Sequence, residues 1–190
     1  KEMESEPGWE NWYRHIGSNW ANVVLGAMTV EPYSAHNGKS LGAIARELGK
    51  DPWDVFFDIC KESSFALPRS MSEANKIRAM REEFVSFDTD VGPAGGVRMA
   101  SHPRAYGSFP RILSHYVREL GVLSVEEAVA RLSAVAANEV KLHDRGRLAE
   151  GLAADIVAFD LERITDHATL AQPTLPSEGV KYVIVNGTIV

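Results

Sequence analysis

Residues 84–108 read FVSFDTDVGPAGGVRMASHPRAYGS. Val85, Phe87 and Thr89 alternate with Ser86, Asp88 and Asp90, and this period of two predicts a strand over Phe84–Thr89 with an apolar face opposite an acidic one. From Val91 to Ser108 the glycines, prolines and small residues carry no period, and so long a loop inside a compact domain usually serves function. Asp88 and Asp90 are two apart on an extended segment and share a face. They stand at the carboxyl end of a strand, where α/β-barrel enzymes place catalytic groups. An Asp after a strand is more often a turn or cap residue than a catalytic one, and spacing alone leaves both readings of Asp90 open. His102, Pro103 and Arg104 sit in mid-loop. The Arg fork could hold a carboxylate bidentately with the His donating to it, or the three could be a solvated loop with an ordinary surface Arg. Tyr106 reads most simply as an aromatic that packs the loop down.

Upstream, Ser40 caps a helix carrying Leu41, Ile44, Ala45 and Leu48 and ending at Gly49. Asp51 can cap and Pro52 can open a second helix, with Trp53, Phe56, Phe57 and Cys60 at i, i+3, i+4 and i+7 expected on one buried stripe. Ser70 and Glu73 form a capping box for a third helix that carries Ile77 and Met80 inward. Downstream, a helix is expected from Pro110, with Phe109, Ile112, Leu113, Tyr116, Val117 and Leu120 on one side. Ser124 and Glu127 form a second capping box that leads Val125, Ala128, Val129 and Leu132 into the core. Past Asn138 glycine punctuation and short β-rich runs take over, at Asp155–Phe159 and Lys181–Val185. Asn186-Gly187 after the second run predicts a type I′ hairpin. The chain therefore divides near residue 145 into an α/β part and a small β part, without internal repeats.

Composition bounds the possibilities. At 190 residues, with 45% hydrophobic and 24% charged, the chain matches an ordinary globular protein. A net charge of −6 with no basic stripe argues against a nucleic-acid partner. The apolar runs near Val23–Met28 and Val183–Val185 fall far short of the ~20 residues a membrane span needs, so no membrane partner is expected. The single cysteine, Cys60, cannot form an internal disulfide, which fits a reducing cytoplasm. The chain opens on Lys1 with neither a signal nor a transit sequence and is shorter than the ~250 residues of a complete eight-stranded barrel, which together suggest a cut chain.

Standard catalytic motifs are missing. None of His15, His36, His102, His115, His143 and His167 is paired at H-x-H or H-E-x-x-H spacing, and there is no nucleophile elbow, P-loop or dinucleotide fingerprint. His115, on a helix among charged neighbours, reads as surface or satisfied core.

VSFDTDVG (85–92) and the run SHPRAYGSFPRILSHYVRELGVLSVEEAVARLSAVAANEVKLHDRGRLAEGLAADIVAFD (101–160) resemble the C-terminal portion of D-aminoacylases, the N-acyl-D-amino-acid deacylases of the metal-dependent amidohydrolase superfamily. The similarity extends through GKSLGAIARELGKDPWDVFFDICKES (38–63) and GVKYVIVNG (179–187). GRLAEGLAADIVAFD points only to the superfamily, whereas HPRAYGSFPRIL favours the deacylase branch. The resemblance implies an α/β fold: the C-terminal part of a TIM-like (β/α) barrel over 1–145, then part of a small β-sandwich over 146–190. It makes Phe84–Thr89 the last barrel strand. Asp90 becomes its terminal carboxylate, a metal ligand that shuttles a proton between metal-bound water and the leaving amine. Bound zinc lowers the pKa of water to ~7, and a nearby carboxylate can take that proton and return it to the departing nitrogen.

Arg104 matches a position that holds the substrate's α-carboxylate, with His102 and Tyr106 shaping the same loop. Family members more often carry a small residue where Asp88 stands, so a second acid here could alter the site. The family's H-x-H pair and most other zinc ligands are expected on an N-terminal portion of the same enzyme preceding Lys1, and this chain alone is expected to be inactive because a barrel closes only with all its strands. The substrate expected is a small N-acyl-D-amino acid. The alternatives are another amidohydrolase acting on a cyclic amide, or a truncated, non-catalytic interaction module.

Overall fold

The computed structural model describes residues 2–5, 7–8, 10–26, 28–62, 65–91 and 102–190. They fall into two compact units. The first takes those of Lys1–Ser72, Pro93–His102 and Thr169–Thr174, and the second those of Glu73–Gly92, Pro103–Ala168 and Leu175–Val190. No helix among the described residues is long and apolar enough to cross a membrane.

In the first unit two short helices, α1 (Glu2–Ser5) and α2 (Trp12–His15), precede strand β1 (Val23–Gly26). The buried Asn11 side chain links the helices, accepting from the Arg14 N–H and donating to the Met3 carbonyl. Helices α3 (Leu41–Leu48) and α4 (Pro52–Cys60) follow, and β2 (Phe65–Pro68) returns to pair antiparallel with β1 in the register Val24 to Leu67. The expected caps are formed. The Ser40 hydroxyl accepts from Ala43 N–H at 3.3 Å, the Asp51 carboxylate accepts from Trp53 N–H at 2.8 Å, and α3 stops at Gly49 in the left-handed region with φ +63°.

Leu25, Leu41, Ile44 and Val55 are fully buried at 0% exposure. On α4 the expected stripe is displaced by one residue. Val55 and Ile59 face the core, while Phe57 and Cys60 point outward. Because residues 52, 55, 56 and 59 satisfy helical spacing as well as 53, 56, 57 and 60 do, the aliphatic pair wins the core. Trp53 and Phe56 turn to an aromatic cluster with Tyr13 and Trp20, whose closest ring centroids are 4.7 Å apart. Beside it, the buried Tyr33 hydroxyl donates to Asp58 at 2.8 Å and Lys50 Nζ donates to Asp58 at 3.0 Å. The bonds from Lys50 and then Tyr33 hold the Asp58 carboxyl well below the usual carboxylate range.

The second unit contains α5 (Glu73–Met80), α6 (Arg104–Arg111), a π-helical stretch Ile112–Glu119, α7 (Val125–Leu132), α8 (Ala134–Glu139) and strands β3 (Ile156–Phe159), β4 (Val180–Val185) and β5 (Thr188–Ile189). Its core joins Ile112, Leu113, Tyr116, Leu123, Ala128 and Ile164, with Ile77, Met80 and Phe87 packed against it. The Ser124–Glu127 capping box is formed in both directions. Helix α5 starts at Glu73 itself, three residues past the expected cap Ser70. Arg131, expected on no face in particular, is 5% exposed, its Nη1 donating to the carbonyls of Met80 and Glu82.

Two expectations fail here. Phe84–Thr89 is not a strand: Phe84 sits in a turn, 81% exposed, and 85–91 run as irregular backbone. A strand is defined by its ladder, and among the described residues no strand lies beside this one to supply it. The helix expected from Pro110 begins instead at Arg104 and runs through Pro110. Proline has no N–H to continue the α ladder. Beyond it the helix widens, with Leu120 N–H reaching His115 O at 2.9 Å, five residues back. Phe109 and Leu120, at 40% and 48% exposure, stay outside the core.

The terminal strands follow the sequence closely. The sheet order is β3-β4-β5, antiparallel throughout. Asn186 and Gly187 have φ +48° and +79°, the two positive values that a type I′ turn demands. Asp155 accepts from Asn186 N–H at 2.8 Å and pairs with Arg145, clipping the hairpin to the chain before β3.

Candidate active site

Asp90 and Arg104, fourteen residues apart, meet within the second unit. Asp88 turns its Oδ1 back onto the chain, accepting from Thr89 N–H at 2.6 Å and from Asp90 N–H at 3.1 Å. Asp90 itself takes φ +50°. A left-handed conformation costs a residue other than glycine about 1–2 kcal/mol, and Asp and Asn visit it more readily than most. Arg104 holds the same residue from the far side: Nη2 donates to the Asp90 carbonyl at 2.7 Å, and Nη1 forms an ion pair with its Oδ2 at 3.0 Å. The carboxylate nonetheless stays open, 83% exposed against 37% for the Arg104 side chain. An ion pair this exposed stabilises the fold by less than about 1 kcal/mol, so its value lies in orientation.

Arg104 is the first residue of α6, and the helix is seated one turn later. Gly107 is buried, and a Cβ there would stand 3.2 Å from Asp166 Cβ, tighter than an ordinary contact, so glycine is what lets α6 lie this close. Arg111 reaches Asp166 Oδ2 at 3.4 Å from the same side. Tyr106 shares the first turn of α6 and is 40% exposed. His102 is half-buried and groups with the first unit. The part of the expected loop at 92–101 lies outside the described residues. His115 Nδ1 lies 2.7 Å from Glu119 Oε2, the satisfied arrangement that its sequence context suggested.

Among the described residues no group of three or more His, Cys, Asp or Glu side chains could hold a metal ion. Asp88 forms the turn and Arg131 is a buried anchor, two roles outside the sequence expectations. The D-x-D spacing, with Asp at the start of an Asx turn, was the available signal for the first. A lone Arg on a helix gives none for the second.

The architecture has counterparts among known proteins. The profile of the amidohydrolase family matches residues 21–190. An N-acyl-D-glutamate deacylase of Alcaligenes xylosoxydans xylosoxydans is 38% identical over 159 residues, 84% of this chain and 32% of that protein. A D-aminoacylase of the same organism is 31% identical over 172 residues, 87% of this chain and 34% of that protein. The chain thus spans about a third of the length of the curated relatives it matches. Among solved structures, the N-acyl-D-glutamate deacylase of Bordetella bronchiseptica, complexed with zinc and a phosphonate mimic of the tetrahedral intermediate, superposes with a TM-score of 0.78 at 32% identity, covering 91% of this chain and 35% of that one. A D-aminoacylase structure superposes with a TM-score of 0.73 at 32% identity, covering 88% of this chain and 34% of that one. With a profile match over nearly the whole chain and a shared fold at this level of identity, the chain belongs to the amidohydrolase family.

Proposed function

We propose that this chain is the C-terminal part of a metal-dependent hydrolase that cleaves the acyl amide of N-acyl-D-amino acids, releasing a carboxylate and a D-amino acid. The observation that carries the reading is the presentation of Asp90: an open carboxylate on a turn fixed by side chains on both sides. Relatives named for N-acyl-D-glutamate and N-acyl-D-aspartate deacylation support the substrate class. In this reading residues 1–145 complete an α/β barrel and 146–190 a small β-sandwich, both with the N-terminal portion of the same enzyme as partner, in the cytoplasm. Zinc belongs to the reading as a cofactor whose other ligands come from that portion, with Asp90 as this chain's contribution.

Asp90 accepts a proton from the hydrolytic water as the water oxygen adds to the amide carbonyl. It returns that proton to the amide nitrogen as the C–N bond breaks, so the carboxylate ends as it began. Arg104 holds the substrate's α-carboxylate, its planar fork suited to two parallel bonds, with His102 and Tyr106 as neighbours in sequence that shape the loop carrying it. A substrate carboxylate would compete with Asp90 for the guanidinium, so Arg104 also couples substrate arrival to the freedom of Asp90.

The test is turnover by the full-length enzyme on a panel of N-acyl-D-amino acids beside cyclic amides. Deacylation of the D-amino-acid series, abolished by Asp90→Asn, is the expected result. Turnover of cyclic amides alone would move the chain to another amidohydrolase activity, and no turnover of either would favour an interaction module. Deacylation by this 190-residue chain with added zinc would overturn the claim that it needs its N-terminal portion.

A further inference from the structure

We infer that Asp88 is a positioning residue for Asp90, holding it in the left-handed turn that presents its carboxylate. The inference rests on the proposed role of Asp90 as proton shuttle. With no strand ladder over Phe84–Thr89, the segment has few backbone bonds to fix it, the nearest being Val85 N–H to Glu82 O at 3.1 Å and Phe87 N–H to Arg131 O at 3.5 Å. What restrains Asp90 is therefore side-chain chemistry. Its N–H is taken by Asp88 Oδ1 at 3.1 Å and its carbonyl by Arg104 Nη2 at 2.7 Å, so each of its backbone polar groups has a side-chain partner. The same Asp88 oxygen also takes Thr89 N–H at 2.6 Å, which closes the turn one residue earlier. Asp88 is thus engaged with the backbone, and it serves through acceptor geometry, without acting as a second acid on the substrate.

That distinction sets the test. Asparagine keeps an Oδ1 acceptor and loses the charge, whereas alanine loses both. In the full-length enzyme, amide hydrogen exchange at Thr89 and Asp90, read by mass spectrometry on short overlapping peptides, is expected to speed up about tenfold or more in Asp88→Ala and to stay within about threefold of the native rate in Asp88→Asn. In the full-length enzyme, Asp88→Ala is expected to lower kcat about tenfold with KM within about twofold, because a shuttle displaced by a fraction of an ångström still leaves substrate binding intact. Asp88→Asn is expected to restore kcat. Native exchange rates in Asp88→Ala, or a kcat in Asp88→Asn as low as in Asp88→Ala, would overturn the inference. An enzyme that hydrolyses no N-acyl-D-amino acid would instead sink the deacylase reading, and exchange at the two amides would still decide whether Asp88 holds the turn.

Discussion

In the first unit Leu41, Ile44 and Val55 are sealed between α3 and α4 at 0% exposure, while in the second unit Asp90 stands 83% exposed in a left-handed turn. The helix pair is held by many small contacts that reinforce one another, so its geometry follows from burying apolar surface. The turn is held by a few hydrogen bonds from two side chains, each of which can be removed singly. A scaffold of the first kind tolerates exchange of exposed residues. A site of the second kind is specified atom by atom and is correspondingly fragile in function, though removing it costs little stability.

The sharpest way to break this contrast is Asp90→Asn, which keeps a residue that tolerates φ +50° and removes the proton acceptor. In the full-length enzyme kcat is expected to fall about 10³-fold, with the melting temperature unchanged within error. Ile44→Ala should do the opposite, lowering stability by about 3–4 kcal/mol in urea titration through the cavity it leaves. If Ile44→Ala were neutral, the first unit would not be the close-packed scaffold described.

Arg104→Ala sharpens the comparison from the site's side. It should lower kcat/KM about 100-fold, and Arg104→Lys should recover little, because one ammonium cannot span both the carbonyl and the carboxylate of Asp90. The smallest effect is electrostatic and belongs to the first unit. The Asp58 carboxyl is held below its usual range in the folded state by Lys50 and Tyr33, so its contribution is present above the unfolded value of about 4 and is lost as pH falls below it. The melting temperature of Asp58→Asn should therefore vary less steeply than the native one on the acid side, and parallel slopes would dismiss the network as a source of acid sensitivity.

These same regions explain what the sequence could disclose. Ser40, Asp51, Ser124 with Glu127, and Asn186-Gly187 act on amides within a few residues of themselves, so their effects were readable from local order. The α4 stripe was half legible, since two overlapping helical faces carry apolar residues and the choice between them lies with what packs opposite. The alternation at Phe84–Thr89 misled because strand formation depends on a neighbour that the segment itself cannot encode. For the candidate site, the residue types at Asp90 and Arg104 were legible, whereas their ion pair across fourteen positions and the bonds of Asp88 to the turn depend on how the chain folds.

Arg131 reaches back 51 positions to the Met80 carbonyl and from there to Glu82, sealing the end of α5. That end is complete only after the chain has folded over a long loop, an entropic cost incurred before any bond rewards it. Helices α3 and α4, four positions apart, face no such delay. All four tryptophans, Trp9, Trp12, Trp20 and Trp53, belong to the early residues. Refolding followed by tryptophan fluorescence is therefore expected to run ahead of refolding followed by a probe placed beside Arg131, making the order of assembly of the two units directly visible.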